Sequence, residues 1–393
     1  MIRKNIYKWH RISSLIIAIP VLLWAISGFM HPLMTTIKPR IATQTLTTQA
    51  IDSTALQTTL RTALEQNNIK SIHTVRIIHI DTNWFYQVQL KNGEPPLYLS
   101  AKNGKSLRNG DKLYAQYIAK QFLQGQPKTG NQEHVMQASS SGQDSLHIDL
   151  AVMPIAPASH DCCDAATNCV LTDTTGSLVE SVEPITSFNK EYKYVNRLLP
   201  VYKVKFDRAD SIRVYVETTQ DRFAFAMDNR RAGFDRFFAI CHTWDWLSDT
   251  GIFKYVLMGA ITLLGFLTTI MGLYIFFITK TKNGSQPIAK ARRSHRYISL
   301  TASLFTLMFT FSGGLHALDK LRTPDLIADD RSNDIPTTAI HFDYQHLQGA
   351  LPTTAFNDIS LARIDSSLYW RVITQKKKVE YISNDDHAIL PNG

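Results

Sequence analysis

Along this chain the apolar and polar positions follow two different rhythms. Three uninterrupted apolar stretches, about Ile12 to Leu33, Phe253 to Ile278 and Tyr297 to Leu318, are each long enough to cross a bilayer as a helix. Elsewhere the period shortens to two. Thr74-Val75-Arg76-Ile77-Ile78-His79-Ile80 and Trp84-Phe85-Tyr86-Gln87-Val88-Gln89-Leu90 read as strands. Lys91-Asn92-Gly93 is a turn, and Pro96-Leu97-Tyr98-Leu99 is a third strand. A short helix near Leu56 to Asn67 precedes them and another, Asp111 to Gln121, follows, which predicts a small α+β unit. A second β-rich stretch runs from Val201 through Ser211 to Val216 and on to Ala226.

The α+β pattern starts again near the C-terminus. Ala362-Arg363-Ile364-Asp365, Ser367 to Val372 and Val379 to Ile382 can be laid on Ile78-His79-Ile80-Asp81, Asn83 to Val88 and Leu97 to Leu99. Pro391-Asn392-Gly393 then falls where Arg108-Asn109-Gly110 precedes the first unit's helix. The expectation is a truncated second copy: a native protein that continues into a helix and a fourth span, as two halves of span–domain–span. That predicts a membrane helical bundle with a bilobed pair of α+β domains.

At 393 residues the chain is too long for one compact domain, and its mean hydropathy is only slightly negative, as expected for spans mixed with a soluble part. The first apolar run exceeds a signal's core, and no small-residue cleavage site follows Met30-His31-Pro32, so it reads as a retained anchor. Basic residues set the orientation. Residues 1 to 11 carry Arg3, Lys4, Lys8 and Arg11 without an acid. The linker before the third span carries Lys280, Lys282, Lys290, Arg292, Arg293 and Arg296, again without an acid. Both belong on the cytoplasmic side, which leaves residues 34 to 250 and 319 to 393 outside. The net charge of +9 is thus topology and does not point to a nucleic acid.

The predicted segments are 1–34 (cytoplasmic N-terminus and first span), 35–125 (α+β domain) and 126–250 (cysteine-containing segment and second β-rich unit). There follow 251–280 (second span), 281–296 (basic loop), 297–318 (third span) and 319–393 (start of the second α+β unit). All four cysteines, Cys162, Cys163, Cys169 and Cys241, fall outside, where disulfides are the default. Their spacing, with His160 beside the first pair, matches no standard zinc or iron–sulfur pattern, and a bound metal and free thiols stay open as alternatives.

One phrase occurs twice. His10-Arg11-Ile12-Ser13-Ser14-Leu15 leads after eleven residues to Ser27-Gly28-Phe29-Met30-His31, and His295-Arg296-Tyr297-Ile298-Ser299-Leu300 leads after eleven to Ser312-Gly313-Gly314-Leu315-His316. Each copy sets two histidines 21 residues apart, roughly 31 Å along a helix and close to the hydrocarbon thickness of a bilayer. Two such helices side by side offer one imidazole pair at each face, His10 with His295 and His31 with His316. That is an axial ligand set for two haems, with bis-histidine centres suited to electron transfer. Gly28, Gly313 and Gly314 would leave room for a macrocycle, Arg11 and Arg296 would face propionates, and Ser14 and Ser299 would orient imidazoles. His242, just before the second span, competes for the outer centre. The Pro32 that follows His31 adds to that competition.

Further residues carry a family resemblance. The Trp9-His10-Arg11 opening of the first span, the strand–turn–strand unit from Trp84 to Gly104, Arg197-x2-Pro200 and His242-x-Trp244 resemble the PepSY-associated transmembrane family, the iron-regulated membrane proteins that include siderophore reductases. The resemblance spans all but the cysteine segment and the missing fourth span. It implies a bacterial inner-membrane, multi-pass protein with periplasmic PepSY-like domains and two b haems. His10 and His295 match the family's inner pair, while His31 and His316 rest mainly on the internal repeat. The expected activity is transfer of electrons from a cytoplasmic or quinol donor to a ferric siderophore, releasing iron. One alternative is a peptide-binding or protease-regulating PepSY protein without redox activity. Another, an uptake permease for the chelate, is disfavoured because the spans carry no central binding residues.

Overall fold

The computed structural model describes residues 2–46, 48–125, 178–279, 286–319, 334–351 and 355–390. In chain order these form α1 (Ile2–Met30), α2 (Leu60–Gln66), β1 (Ser71–Ile72), β2 (Thr74–Ile80), β3 (Asn83–Gln89), β4 (Leu97–Ser100) and α3 (Gly110–Gln124). Next come β5 (Val179–Ile185), β6 (Val201–Phe206), β7 (Arg213–Glu217), β8 (Arg222–Met227), α4 (Asn229–Cys241), α5 (Ile252–Ile278) and α6 (Pro287–Asp319). The chain closes with β9 (Ile335–Pro336), α7 (Tyr344–Ala350), β10 (Phe356–Ile364), β11 (Ser367–Thr374) and β12 (Val379–Ser383). Two compact units result, one of residues 1–38 and 229–329, the other of residues 39–228 and 330–393.

The first unit is helical. Three helices are long and apolar enough to cross a membrane, within Asn5–Met34, Ile252–Ile278 and Pro287–His316. Helix α6 begins ten residues before the apolar run does. Pro287 suits a first helical position, and the Lys and Arg residues that follow are good helix formers, so the basic segment of 287–296 is helix rather than loop. Helix α1 stops because Pro32 follows His31, and a short 3-10 turn, Pro32–Thr35, takes over. Helix α5 packs against both α1 and α6. Small residues make its seam with α6: a Cβ on Gly265 would stand 3.3 Å from Thr310 Cγ2, and one on Gly313 3.6 Å from Thr262 Cγ2. The glycines Gly313 and Gly314 therefore serve helix packing, where the sequence suggested space for a macrocycle. Helix α4 is tied to the end of α1 by Arg231, whose guanidinium donates to the Met34 and Ile37 carbonyls.

The second unit contains the other sheets. The repeat read in the sequence is present, but its two copies do not form two lobes. They fuse into one six-stranded antiparallel sheet, β12-β11-β10-β2-β3-β4, through Ser360 paired with Arg76 and Thr74 Oγ1 donating to the Leu361 carbonyl at 2.9 Å. Fusion hides what would otherwise be two bare sheet edges. The copies match closely. Each hairpin turns at an aspartate with positive φ, Asp81 at 52° and Asp365 at 54°. The aromatic at the same place in each reaches back to the loop before its own helix: Tyr86 OH to the Thr58 carbonyl and Trp370 Nε1 to the His341 carbonyl, both 2.8 Å. One face of the sheet buries α2 and α7 in a common core around Tyr86, Trp370, Leu64 and Leu347. The opposite face packs Ile78, Phe85 and Tyr98 on α3, which in turn covers the four-stranded sheet β5-β6-β7-β8. Between these layers Arg76 donates to Asp221 (2.6 and 2.9 Å) and to the Thr218 carbonyl (2.7 Å). Tyr114 OH also donates to Asp221 at 2.7 Å, so the buried charge is paired and hydrogen-bonded.

His79 lies against Trp84 and Tyr117 in this layer. Burial, partly opposed by Asp221, pushes its imidazole below the usual 6.5. The folded chain therefore favours the neutral ring. Its contribution to stability is fully present above pH 6.5 and is lost as the pH falls through the depressed folded value. Thermal denaturation across that range should show the loss, and His79→Gln should flatten it; an unchanged slope would assign the pH dependence to another group.

Candidate functional site

Four of the five span-associated histidines pair in the sequence by spacing alone, and the helical unit brings them together at two ends. His10 of α1 and His295 of α6 both line one open-sided cavity of about 1790 Å³ among α1, α5 and α6. That exceeds the roughly 300–1,000 Å³ of ordinary small-molecule sites. The two rings are near enough to interact electrostatically. Helix α5 backs the His10 ring, where a Cβ on Gly272 would stand 2.9 Å from His10 Nε2. Only a bare backbone lets that imidazole sit there. Ile17, Ala18, Val21, Leu273 and Ala302 give the cavity an apolar lining, and Lys8, Arg11, Arg292 and Arg293 contribute cations to it.

The polar neighbours of this pair are engaged to different degrees. Ser299 Oγ is 3.5 Å from His295 Nδ1, at the outer limit of a hydrogen bond, and Ser14 lines the cavity. Arg296 departs from expectation. Its Nη2 donates to the Phe276 carbonyl at 2.6 Å and its guanidinium lies 4.4 Å from the Phe276 ring, so it caps the end of α5. Arg11 is exposed and lines the cavity, which leaves it as the better candidate for an anionic group.

At the other end His31 and His316 are both exposed, and His242 is half-buried between their influences. Burial first, then the proximity of His31 and His316, push the His242 imidazole below its ordinary range. Its ring stacks on Phe238 at 4.5 Å, while His31 meets the same Phe238 edge-on at 5.7 Å. Ser27 Oγ lies 3.0 Å from His242 Nδ1, and Trp24 Nε1 donates to the His242 carbonyl at 3.0 Å. Trp24 is stacked on Trp244 at 5.3 Å. A Cβ added at Gly28 would meet nothing within 4 Å.

Among the described residues no group of three or more His, Cys, Asp or Glu could hold a metal ion. Two imidazoles lining one cavity are donors of the kind that could hold a macrocycle-bound iron. Cys162, Cys163, Cys169 and His160 lie outside the described residues; Cys241 is buried at the end of α4 as a free thiol. Sequence reasoning missed Gly272, Phe238 and the role of Ser27. Gly272 showed only as a small residue in an apolar run, and Ser27 was visible as part of the repeated phrase without a partner.

Comparison of the chain with protein-family models, with curated proteins and with solved structures finds no match.

The Gly272 contact is testable without any ligand. Gly272→Ala must turn the His10 ring or shift α1, which offsets part or all of the roughly 1 kcal/mol that Gly→Ala gains inside a helix. Its unfolding midpoint should therefore lie below that of Gly259→Ala, where a Cβ meets nothing within 4 Å. Equal midpoints for the two variants would remove the contact from the account.

Proposed function

We propose that the protein is a two-haem, b-type transmembrane oxidoreductase that delivers electrons to a ferric chelate, a siderophore being the class expected from the family resemblance. The single observation that carries this reading is the large cavity lined by His10 and His295 with the bare Gly272 backbone between helices. When bound between such imidazoles, a b haem supplies a one-electron Fe(III)/Fe(II) couple without an open coordination position.

The chain's own residues do the rest. His10 and His295 would hold the haem at one end, against an apolar lining of Ile17, Ala18, Val21, Leu273 and Ala302. Arg11, Arg292 and Arg293 would offer charge-assisted hydrogen bonds to propionates. Within each of the two repeated helices the second histidine lies 21 residues on, so the two centres stand roughly 31 Å apart along the helix direction. The acid-free basic segments favour a cytoplasmic face for the His10 end. In the bacterial inner membrane expected from the resemblance, that end would meet a cytoplasmic or quinol donor and the His31–His316 end would face the periplasm. One electron leaves the donor and one ferric ion in the chelate becomes ferrous. Hard oxygen donors hold Fe(II) less tightly than Fe(III), so the ion is released.

Protein purified after expression with ample haem should show the paired α and β bands of reduced bis-histidine haem. His10→Ala and His295→Ala should each remove about half of the bound haem and stop donor-driven reduction of a ferric chelate in proteoliposomes. A wild-type protein without haem would end this reading. Unchanged iron phenotypes in both variants would favour the peptide-binding alternative.

A further inference from the structure

Three imidazoles gather at the end of the helical unit opposite His10, although a bis-histidine centre uses two. The repeated phrase nominates His31 and His316. The geometry singles out His242, whose ring lies near both.

His242 is the held member of the three. Ser27 is fully buried, with no exposed surface, and its hydroxyl has one hydrogen. That hydrogen goes to a backbone carbonyl of its own helix, Leu23 at 2.6 Å or Trp24 at 3.2 Å. The Ser27 oxygen is therefore an acceptor towards His242, and the 3.0 Å contact makes Nδ1 the protonated nitrogen. The other nitrogen, Nε2, is left with its lone pair free. This is the tautomer a metal-ligating histidine needs, fixed by a hydrogen bond to the far side of the ring. Phe238 supports the ring face, and Trp24 satisfies the His242 carbonyl at the end of α4. His31, exposed like His316, follows the last residue of α1 and opens the 3-10 turn at Pro32.

Resting on the two-haem reading, we infer that His242, and not His31, pairs with His316 as the axial set at this end, with Ser27 as the positioning residue that sets the His242 tautomer. The duplication then explains only one ligand of the pair. Its first-copy serine holds a histidine brought in by α4, in place of the histidine three residues beyond its own glycine.

The test is haem content and potential in the full-length chain purified in detergent after expression with ample haem. Wild type should titrate as two components. His242→Ala should lose one of them and about half the haem, whereas His31→Ala should keep both. His242→Met should retain the haem and shift that component to higher potential, as methionine–histidine ligation does. This second variant separates lost ligation from lost folding. Ser27→Ala should keep both haems but move the potential of the same component alone, and Ser27→Thr should restore it. Loss of a component in His31→Ala, or an unchanged bis-histidine spectrum and potential in His242→Met, would overturn the assignment while leaving the two-haem reading intact. Absence of haem from the wild type would overturn both.

Discussion

A polar group set among apolar helices must find a partner or carry a cost of several kcal/mol, and that requirement organises the helical unit. The hydroxyls solve it locally. Thr262, Thr268, Thr269, Thr306 and Thr310 each donate to a carbonyl of their own helix three or four residues back. The imidazoles are answered in different ways. His295 Nδ1 lies 3.5 Å from Ser299 Oγ of its own helix. His242 is answered by Ser27. His10 is laid against Gly272 and looks into a cavity. The imidazoles therefore mark where this bundle has left its packing unfinished.

Helix α5 makes that possible by being tight in one place and open in another. Around Thr262 and Gly265 it meets α6 through small side chains that admit close approach. Further along, Gly272 offers bare backbone to α1, and beyond it Arg296 ties the end of α5 to α6 through the Phe276 carbonyl. Tyr7 OH and Thr279 Oγ1, 2.5 Å apart, join α1 to the residue after α5. Polar contacts thus tie α5 to both flanking helices beside the cavity.

Much of this was legible in the chain. Apolar runs gave the three long helices, period-two runs gave the strands of both copies, and a phrase used twice gave His10 and His295 on two helices that do share a cavity. What escaped depended on which faces meet. Nothing local distinguishes two α+β units side by side from two fused through Ser360 and Arg76, since the pairing joins strands more than 280 residues apart and register is a tertiary property. Arg296 carries the same signal as Arg11 in the sequence and also lines the cavity, yet its guanidinium is engaged by the Phe276 carbonyl at the end of α5. The start of α6 escaped because a basic stretch read as a polar linker, although its residues propagate a helix well.

The two ends also show how far a duplication constrains chemistry. Both copies of the phrase place a histidine after Ser-Gly, but the next residue differs. Pro32 ends α1 at once, whereas α6 continues to Asp319. His31 meets Phe238 edge-on, while the same phenylalanine stacks face-to-face on His242. The serine of the phrase remains fully buried and hydrogen-bonded in the first copy. What the first copy kept in working order is therefore a socket for an imidazole, and the ring that fills it comes from the helix that α1 holds through Arg231 and Trp24. Sequence symmetry located the site to within one turn; hydrogen-bond donors and acceptors, counted atom by atom, are what choose the residue.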